Sequence, residues 1–301
     1  MSATPPAIRP SITDLVARRI QARHLGSRAG RVRAQLMGQH RSRLRGRGMD
    51  FREVRDYQPG DDIRCIDWRV TARTGRAHTK LFNEERERPV ILLIDQRPAM
   101  HFATRGVFKA VLAARAATLL GWRASAHGDR VGALVFHQRH HRELRPTGGE
   151  RGVLRLINAL TRPPPGEQPV QAQDLASQAG RLARIARPGS LVFAFSDFDG
   201  WNDHVARLLA PLARHSELVL GLVYDPLEAR PPAGPYPLSD GERLAWLEPQ
   251  RAERIQQQFR QHRQILGTFC HQHGAHLLEL ATDHDPVHAL RMQLAALARD
   301  S

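Results

Sequence analysis

The chain has 301 residues, and its apolar (41%) and charged (25%) fractions are those of a globular protein long enough for a substantial core. No run reaches the roughly eighteen apolar residues of a spanning helix, Met-Ser-Ala-Thr-Pro-Pro lacks the apolar centre of a signal peptide, and Cys65 and Cys270 show no Cys-x-x-Cys spacing. These features argue against a membrane anchor, a disulfide framework and a zinc–thiolate site, and point to a cytoplasmic chain.

The formal net charge of +15 is almost entirely arginine; Lys80 and Lys109 are the only lysines. The excess is concentrated at the start, where residues 1–50 hold eleven arginines against Asp14 and Asp50. Such a segment suits nucleic acid, anionic lipid or an acidic protein surface. Residues 1–10 are Pro-rich and read as disordered. Ser11 is a cap candidate for a short amphipathic helix over residues 11–25, with Ile12, Leu15, Val16, Arg19 and Ile20 at helical spacing. Residues 26–47 are rich in Gly and Arg. Residues 1–45 are therefore expected to be a basic, partly disordered arm, of which residues 1–40 are dispensable for folding but not for association.

Residues 46–89 carry the densest polar pattern. Asp61, Asp62 and Asp67 are interleaved with Arg55, Arg64, Arg69 and Arg73 around the turn signal Pro59-Gly60. Arginine and carboxylate make planar, bidentate pairs. The expectation is an ion-paired loop anchored by a buried Trp68 and by Phe51, Val54, Tyr57, Ile63 and Ile66. An extended segment around His78–Phe82 follows.

From Val90 the pattern alternates. Val90–Ile94 reads as a buried strand ending at Asp95, and Arg105–Ala126 as a helix. Arg130–Phe136 is a strand, with His140–Arg145 as its antiparallel partner. Glu150–Leu160 and Ala172–Ala186 are helices either side of the loop Pro163-Pro164-Pro165-Gly166. Leu191–Phe195, leading into Ser196-Asp197, is a strand, Asp203–Ala213 a helix and Leu218–Val223 a strand. Residues 225–249 break the rhythm and read as an insertion, with Asp240-Gly241 turning a hairpin between Tyr236–Leu238 and Arg243–Leu247. A helix over 250–272, a strand over Ala275–Leu280 and a last helix capped by Asp285 close the chain. Alternation of this kind predicts an α/β domain over residues 90–301: a doubly wound, mostly parallel sheet with helices on both faces.

Gly48-x-x-Phe51, Arg55-x-Tyr57-x-x-Gly60-Asp61-Asp62-x-Arg64-x-Ile66-Asp67-Trp68, Ala72-Arg73 and Lys80-x-Phe82-x-x-Glu85 together resemble the signature of the bacterial domain of unknown function 58 family. The resemblance covers about residues 40–225. It implies a von Willebrand factor A-like domain and a partner among MoxR-type AAA+ ATPases. It also implies a metal-ion-dependent adhesion site at the C-terminal strand ends, with Asp95 and Asp197 facing one crevice and Thr147 reaching it. That site uses Asp-x-Ser-x-Ser, whereas this chain reads Asp95-Gln96-Arg97-Pro98-Ala99. Arg97 and Ala99 replace two oxygen ligands, so no metal is expected; Arg97 is expected to fold back as an internal cation pairing with Asp197.

Cys270, His271, His273, His276 and His284 cluster in sequence but read as surface and core residues. No Gly-x-Ser-x-Gly, Gly-x-x-x-x-Gly-Lys or strand–helix Gly-x-Gly-x-x-Gly occurs. The reading is a non-enzymatic interaction scaffold without cofactor that presents its signature motif and the Asp95/Asp197 crevice to a MoxR-type ATPase. Its rivals are a nucleic-acid-binding module using the basic arm, and a metal-dependent hydrolase using Asp95, Asp197 and the histidines.

Overall fold

The computed structural model describes residues 7–25, 49–58, 63, 66–84, 88–162, 174–239 and 244–300. Asp61, Asp62, Arg64, the Pro163–Gly166 loop, the Asp240-Gly241 turn and the whole Gly/Arg-rich segment lie outside the described residues. The chain divides into two compact units, Gln39–Glu87 and the remainder.

The larger unit is built on β3 (Pro89–Asp95). Its apolar run is buried on both faces because side chains alternate: Val90, Leu92 and Ile94 enter one core, Ile91 and Leu93 the other. Beside it lie β4 (Arg130–Phe136) and β6 (Leu191–Ser196), both parallel to it. The six-stranded order is β10-β7-β6-β3-β4-β5, with β5 (His141–Thr147), β7 (Glu217–Tyr224) and β10 (His276–Ala281). Only the β4–β5 pair is antiparallel. The chain runs outward from β3 to β5, then returns to β6 on the other side. The order therefore reverses between β3 and β6, which puts the topological switch point at Asp95 and Ser196-Asp197.

One core lies under α1 (Ile12–Ala22), α3 (Lys109–Ala126), α4 (Gly149–Thr161) and α9 (Pro286–Asp300). The other lies under α5 (Leu175–Ile185), α6 (Asp203–His215) and α8 (Pro249–His273). Caps mark several starts: Ser11 Oγ accepts from Asp14 N, Asp174 from Ser177 N, Asn202 from His204 N and Val205 N, and Asp285 from His288 N. The segment read as an insertion contains α7 (Pro226–Ala229) and the hairpin β8 (Tyr236–Ser239) and β9 (Leu244–Leu247), packed on Ala252 and Ile255 of α8. Gly106 has φ 75° and lies so close to the Thr282 carbonyl that a Cβ would collide with it, so this turn needs glycine. No helix among the described residues is long and apolar enough to cross a membrane.

Two expectations are corrected. The first concerns the arm, because residues 12–25 belong to the domain. Leu15, Ala22 and Leu25 are buried in the first core, Trp122 Nε1 donates to the Leu15 carbonyl at 3.1 Å, and Asp14 receives Arg115 Nε at 2.7 Å and Arg18 Nη2 at 2.9 Å. The buried face of α1 is Leu15–Arg18–Ala22, while Ile12, Val16 and Ile20 stand exposed. The aliphatic stripe suggested the opposite orientation. Arg18 wins the inward place because Asp14 and Gln21 pair its guanidinium there.

The second concerns the motif. In the smaller unit β1 (Met49–Asp56) pairs antiparallel with β2 (His78–Glu84), and α2 (Trp68–Thr74) lies between them in sequence. Asp67 is the N-cap of α2, its Oδ1 accepting from Arg69 N at 3.0 Å and Val70 N at 3.2 Å. Gly75, at φ 72°, closes the helix. Trp68, expected to be buried, is 70% exposed, and Ile63 is exposed as well. Trp68 is the first residue after the cap, and Arg69 and Arg73 are exposed with it. The polar spacing around Asp67 thus marks a helix start as well as a charge pattern.

Leu15→Ala should cost about 2–5 kcal/mol of stability, as for other buried leucines. Chemical denaturation measures it. An unchanged midpoint would return α1 to the status of a detachable arm.

Candidate functional site

Asp95 ends β3 with a carboxylate that is fully buried. Such a charge must be matched. Three groups match it. Ser196 Oγ, at the end of the neighbouring β6, donates to Oδ2 at 2.7 Å. Arg97 N donates to Oδ1 at 2.9 Å. The Arg97 guanidinium folds back over the same carboxylate, Nη2 to Oδ2 at 2.7 Å and Nε to Oδ1 and Oδ2 at 3.1 and 3.0 Å. The turn Pro98–Met100 follows at once, and Arg97 also lies over the Phe136 ring at 5.4 Å.

Burial pushes the Asp95 carboxyl above its ordinary range, against the opposing pull of Arg97. Burial also works against the charge on Arg97, but Asp95 and Asp197 more than offset it, and its pKa lies above the usual value. Arg97 is therefore charged at every working pH.

Asp197 stands next to this pair and has a cation of its own. Lys109, in the first turn of α3, is buried, and its Nζ lies 3.0 Å from Asp197 Oδ2 and 3.3 Å from Glu228 Oε1. Burial lowers the ammonium pKa, yet the two carboxylates prevail and the net shift is upward. Arg97 approaches Asp197 at 3.8 Å and donates to the Asp199 carbonyl at 3.1 Å. Arg97 thus folds back as expected, but its principal partner is Asp95; Lys109 takes Asp197.

Backbone geometry holds this arrangement in place. Phe198 is buried with φ 56°, a conformation costly for a bulky residue, and its N–H donates to Ser196 Oγ at 2.8 Å. Asp199 N donates to Asp197 Oδ1 at 3.1 Å. His262 of α8 bonds the Asp197 carbonyl at 2.9 Å. Buried Asp225 ties the surrounding loops together, accepting from Thr104 N (2.8 Å), Thr104 Oγ1 (2.6 Å), Thr282 Oγ1 (2.7 Å) and Leu227 N (2.9 Å). Its own N–H donates to Glu228 Oε2 at 2.7 Å, which aims the other Glu228 oxygen at Lys109.

Outside this network a cleft of about 700 Å³ opens, walled by Trp201, Tyr224, Leu238, Phe259 and His262, with Lys109 and Asp197 at its base. The Tyr224 and Phe259 rings pack at 4.9 Å, tilted by 40°. The cleft lies at the C-terminal end of the sheet, where the topology places a ligand site.

Asp95, Arg97 and Asp197 therefore come together as the sequence suggested. Thr147 does not. It pairs with Val131 at the start of β4, whereas Asp95 pairs with Phe136 at its end. Strand β5 runs antiparallel, so its last residue returns to the opposite end of the sheet, where Thr147 accepts from Arg155 Nη1 at 2.8 Å. The sequence reading missed Lys109, Glu228 and Asp225. Lys109 had one signal: a lysine, one of only two, opening a largely buried helix at the end of the β3 loop. Glu228 had none, being in a stretch read only as insertion.

A divalent cation between the strand-end carboxylates would meet a guanidinium and an ammonium where hydroxyl oxygens are needed, so these residues do not fit one. Cys270 packs in the second core with its thiol pushed up to about 12 by burial. Among the described residues no three His, Cys, Asp or Glu side chains are grouped to hold a metal. His137 stacks on His140 at 4.4 Å and is pushed down to about 4 by burial and its basic neighbours, so it is neutral near pH 7.

Arg97→Met should destabilise the fold by about 3–5 kcal/mol at neutral pH, because Asp95 is left buried and unmatched. The deficit should shrink in acid. A carboxyl with a raised folded-state pKa contributes stability below its unfolded pKa and loses it as pH rises through the folded value. Denaturation of both proteins between neutral and acid pH measures this, and a deficit independent of pH would contradict it.

A family model described as Protein of unknown function DUF58 matches residues 53–265. Uncharacterized protein Mb1516 of Mycobacterium bovis and Uncharacterized protein Rv1480 of Mycobacterium tuberculosis are each 31% identical over 258 residues, covering 83% of this chain and 80% of the relative. Among solved structures, the conserved hypothetical protein BatB from Bacteroides thetaiotaomicron aligns with TM-score 0.42 and 13% identity over 70% of this chain and 99% of that one. A von Willebrand factor type A protein from Catenulispora acidiphila aligns with TM-score 0.34 and 12% identity over 73% of this chain and 44% of that one. Sequence, rather than these distant likenesses, carries the assignment: the chain belongs to the DUF58 family.

Proposed function

We propose that this protein is a non-catalytic interaction module that docks a protein partner at the C-terminal end of its sheet, and that the partner is an AAA+ ATPase of MoxR type. The observation that carries the first part is the double neutralisation at the switch point. Asp95 is held by Arg97 and Asp197 by Lys109, so neither carboxylate is poised as a general base or nucleophile. Above them is an aromatic-walled cleft suited to a side chain of another protein. Beside it, β9 presents Trp246, 57% exposed, and Leu244 on the solvent face of the hairpin. Exposed tryptophans beside apolar residues are typical of binding hot spots.

The MoxR assignment rests on the resemblance of the residue 48–85 motif to its family. The chain carries no phosphate-binding Gly-x-x-x-x-Gly-Lys, so a remodelling complex would draw its energy from the partner. Such a partner would place the chain in the cytoplasm.

Affinity capture from native lysate tests the reading. Wild type should retain an AAA+ ATPase, and Trp246→Ala with Leu244→Ser should release it without lowering the thermal midpoint. Absence of any co-purifying ATPase would overturn the partner. Hydrolytic turnover by the chain alone, lost in Asp197→Asn, would overturn the non-catalytic reading.

Calorimetry tests the fixed cations. Wild type should bind neither magnesium nor manganese at millimolar concentration, and Arg97→Ser with Ala99→Ser should gain measurable affinity. Stoichiometric metal binding by wild type would rule the fixed-cation site out.

A further inference from the structure

Helix α1 has two apolar faces, and the core uses one. Leu15 and Ala22 are buried against α3 and α4. On another face Ile12, Val16 and Ile20 follow one another at successive turns, preceded by exposed Ile8. Ile12 is 60% and Ile20 67% exposed. Leu154 of α4, one turn beyond the Glu150 that pairs with Arg19, is also exposed. Single exposed aliphatics are ordinary, but a row of four leading to a fifth is a patch.

The rim of this patch is basic. Arg9 precedes α1, Arg19 lies in its last turn and Arg23 follows it, all exposed, and Arg151 and Arg155 stand exposed on α4. The acids nearby are already engaged: Asp14 with Arg18 and Arg115, Glu150 with Arg19. The sequence that follows the helix, residues 26–48, adds seven arginines and no acidic residue.

Aliphatic side chains rimmed by arginine suit an anionic lipid surface. Isoleucine and valine enter the boundary between headgroups and acyl chains while the guanidiniums meet lipid phosphates. Nucleic acid would match the charge but favours aromatic platforms, and the patch has none. We propose that this face seats the protein peripherally on an anionic bilayer, with α1 lying in the interfacial plane. The docking face proposed above is built from other elements, at the sheet end, so the two surfaces are independent.

Vesicle flotation of the full chain tests the idea. Wild type should float with mixed phosphatidylglycerol–phosphatidylcholine vesicles and not with pure phosphatidylcholine, and added salt should weaken the binding. Ile12→Asp with Ile20→Asp should abolish flotation while leaving the thermal midpoint unchanged, since both side chains are exposed. Ile12→Ser with Ile20→Ser serves if the acidic pair impairs folding. Failure of wild type to float would overturn the proposal. So would equal flotation of the variants, which would reduce the effect to charge alone. A wild-type dimer in sedimentation that the variants dissolve would make the patch a self-interface, and nucleic-acid retardation abolished by the same variants would make it a nucleic-acid site; either overturns the bilayer.

Discussion

Two carboxylates delivered to one place by adjacent parallel strands repel each other and lose their water as the loops close over them. The end of this sheet is organised around that constraint. Asp95 has zero exposure and Asp197 lies next to it, and each has its own resident cation. Lys109 reaches Asp197 only because α3 begins directly above the switch point. Glu228 reaches Lys109 only because the capping box at Asp225 fixes the short helix that carries it. The left-handed backbone at Phe198 lets Ser196 serve both the Asp95 carboxylate and its own loop. The loop after β3, the loop after β6 and the segment after β7 are thus tied to one another through charge, while Met100, Phe198 and Leu227 anchor them in apolar clusters.

A site neutralised by side chains differs in kind from one neutralised by a dissolved ion. A metal can leave, and a crevice built on it exists in two states. A guanidinium charged at every working pH and an ammonium shifted upward by its partners stay with the chain. The crevice then carries its own cations and needs no dissolved ion to balance its carboxylates. This also gives the cleft a firm floor, with the aromatic walls of Trp201, Tyr224 and Phe259 above it.

The N-terminal helix shows how a basic segment can be structural and still face outward. Its inward side is held by Leu15, by the Trp122–Leu15 hydrogen bond and by the Asp14 pairs with Arg18 and Arg115. Burying Arg18 turns the isoleucines out. Core packing alone would favour the reverse; the Asp14–Arg18 pair within α1 and the Arg115 pair from α3 are what reverse it.

The sequence by itself determined the local elements, because the interactions that make them span only a few residues. The buried strand β3 with helices on both faces, the antiparallel partner of β4, the caps at Ser11 and Asp285 and the family motif were all legible. The fold-back of Arg97 was legible too, but not its partner: Asp197 was the carboxylate expected, and Asp95 is the one it holds. The tertiary structure decided what depends on strand order and direction. Lys109 and Asp197 meet across 88 residues of sequence. Thr147 is carried to the far end of the sheet because β5 runs antiparallel. Trp68 stands in solvent because Asp67 starts a helix beneath it, and the face of α1 that is buried was settled by partners on α3. Periodicity tells how a side chain repeats along its own element; only the packed fold tells what lies opposite.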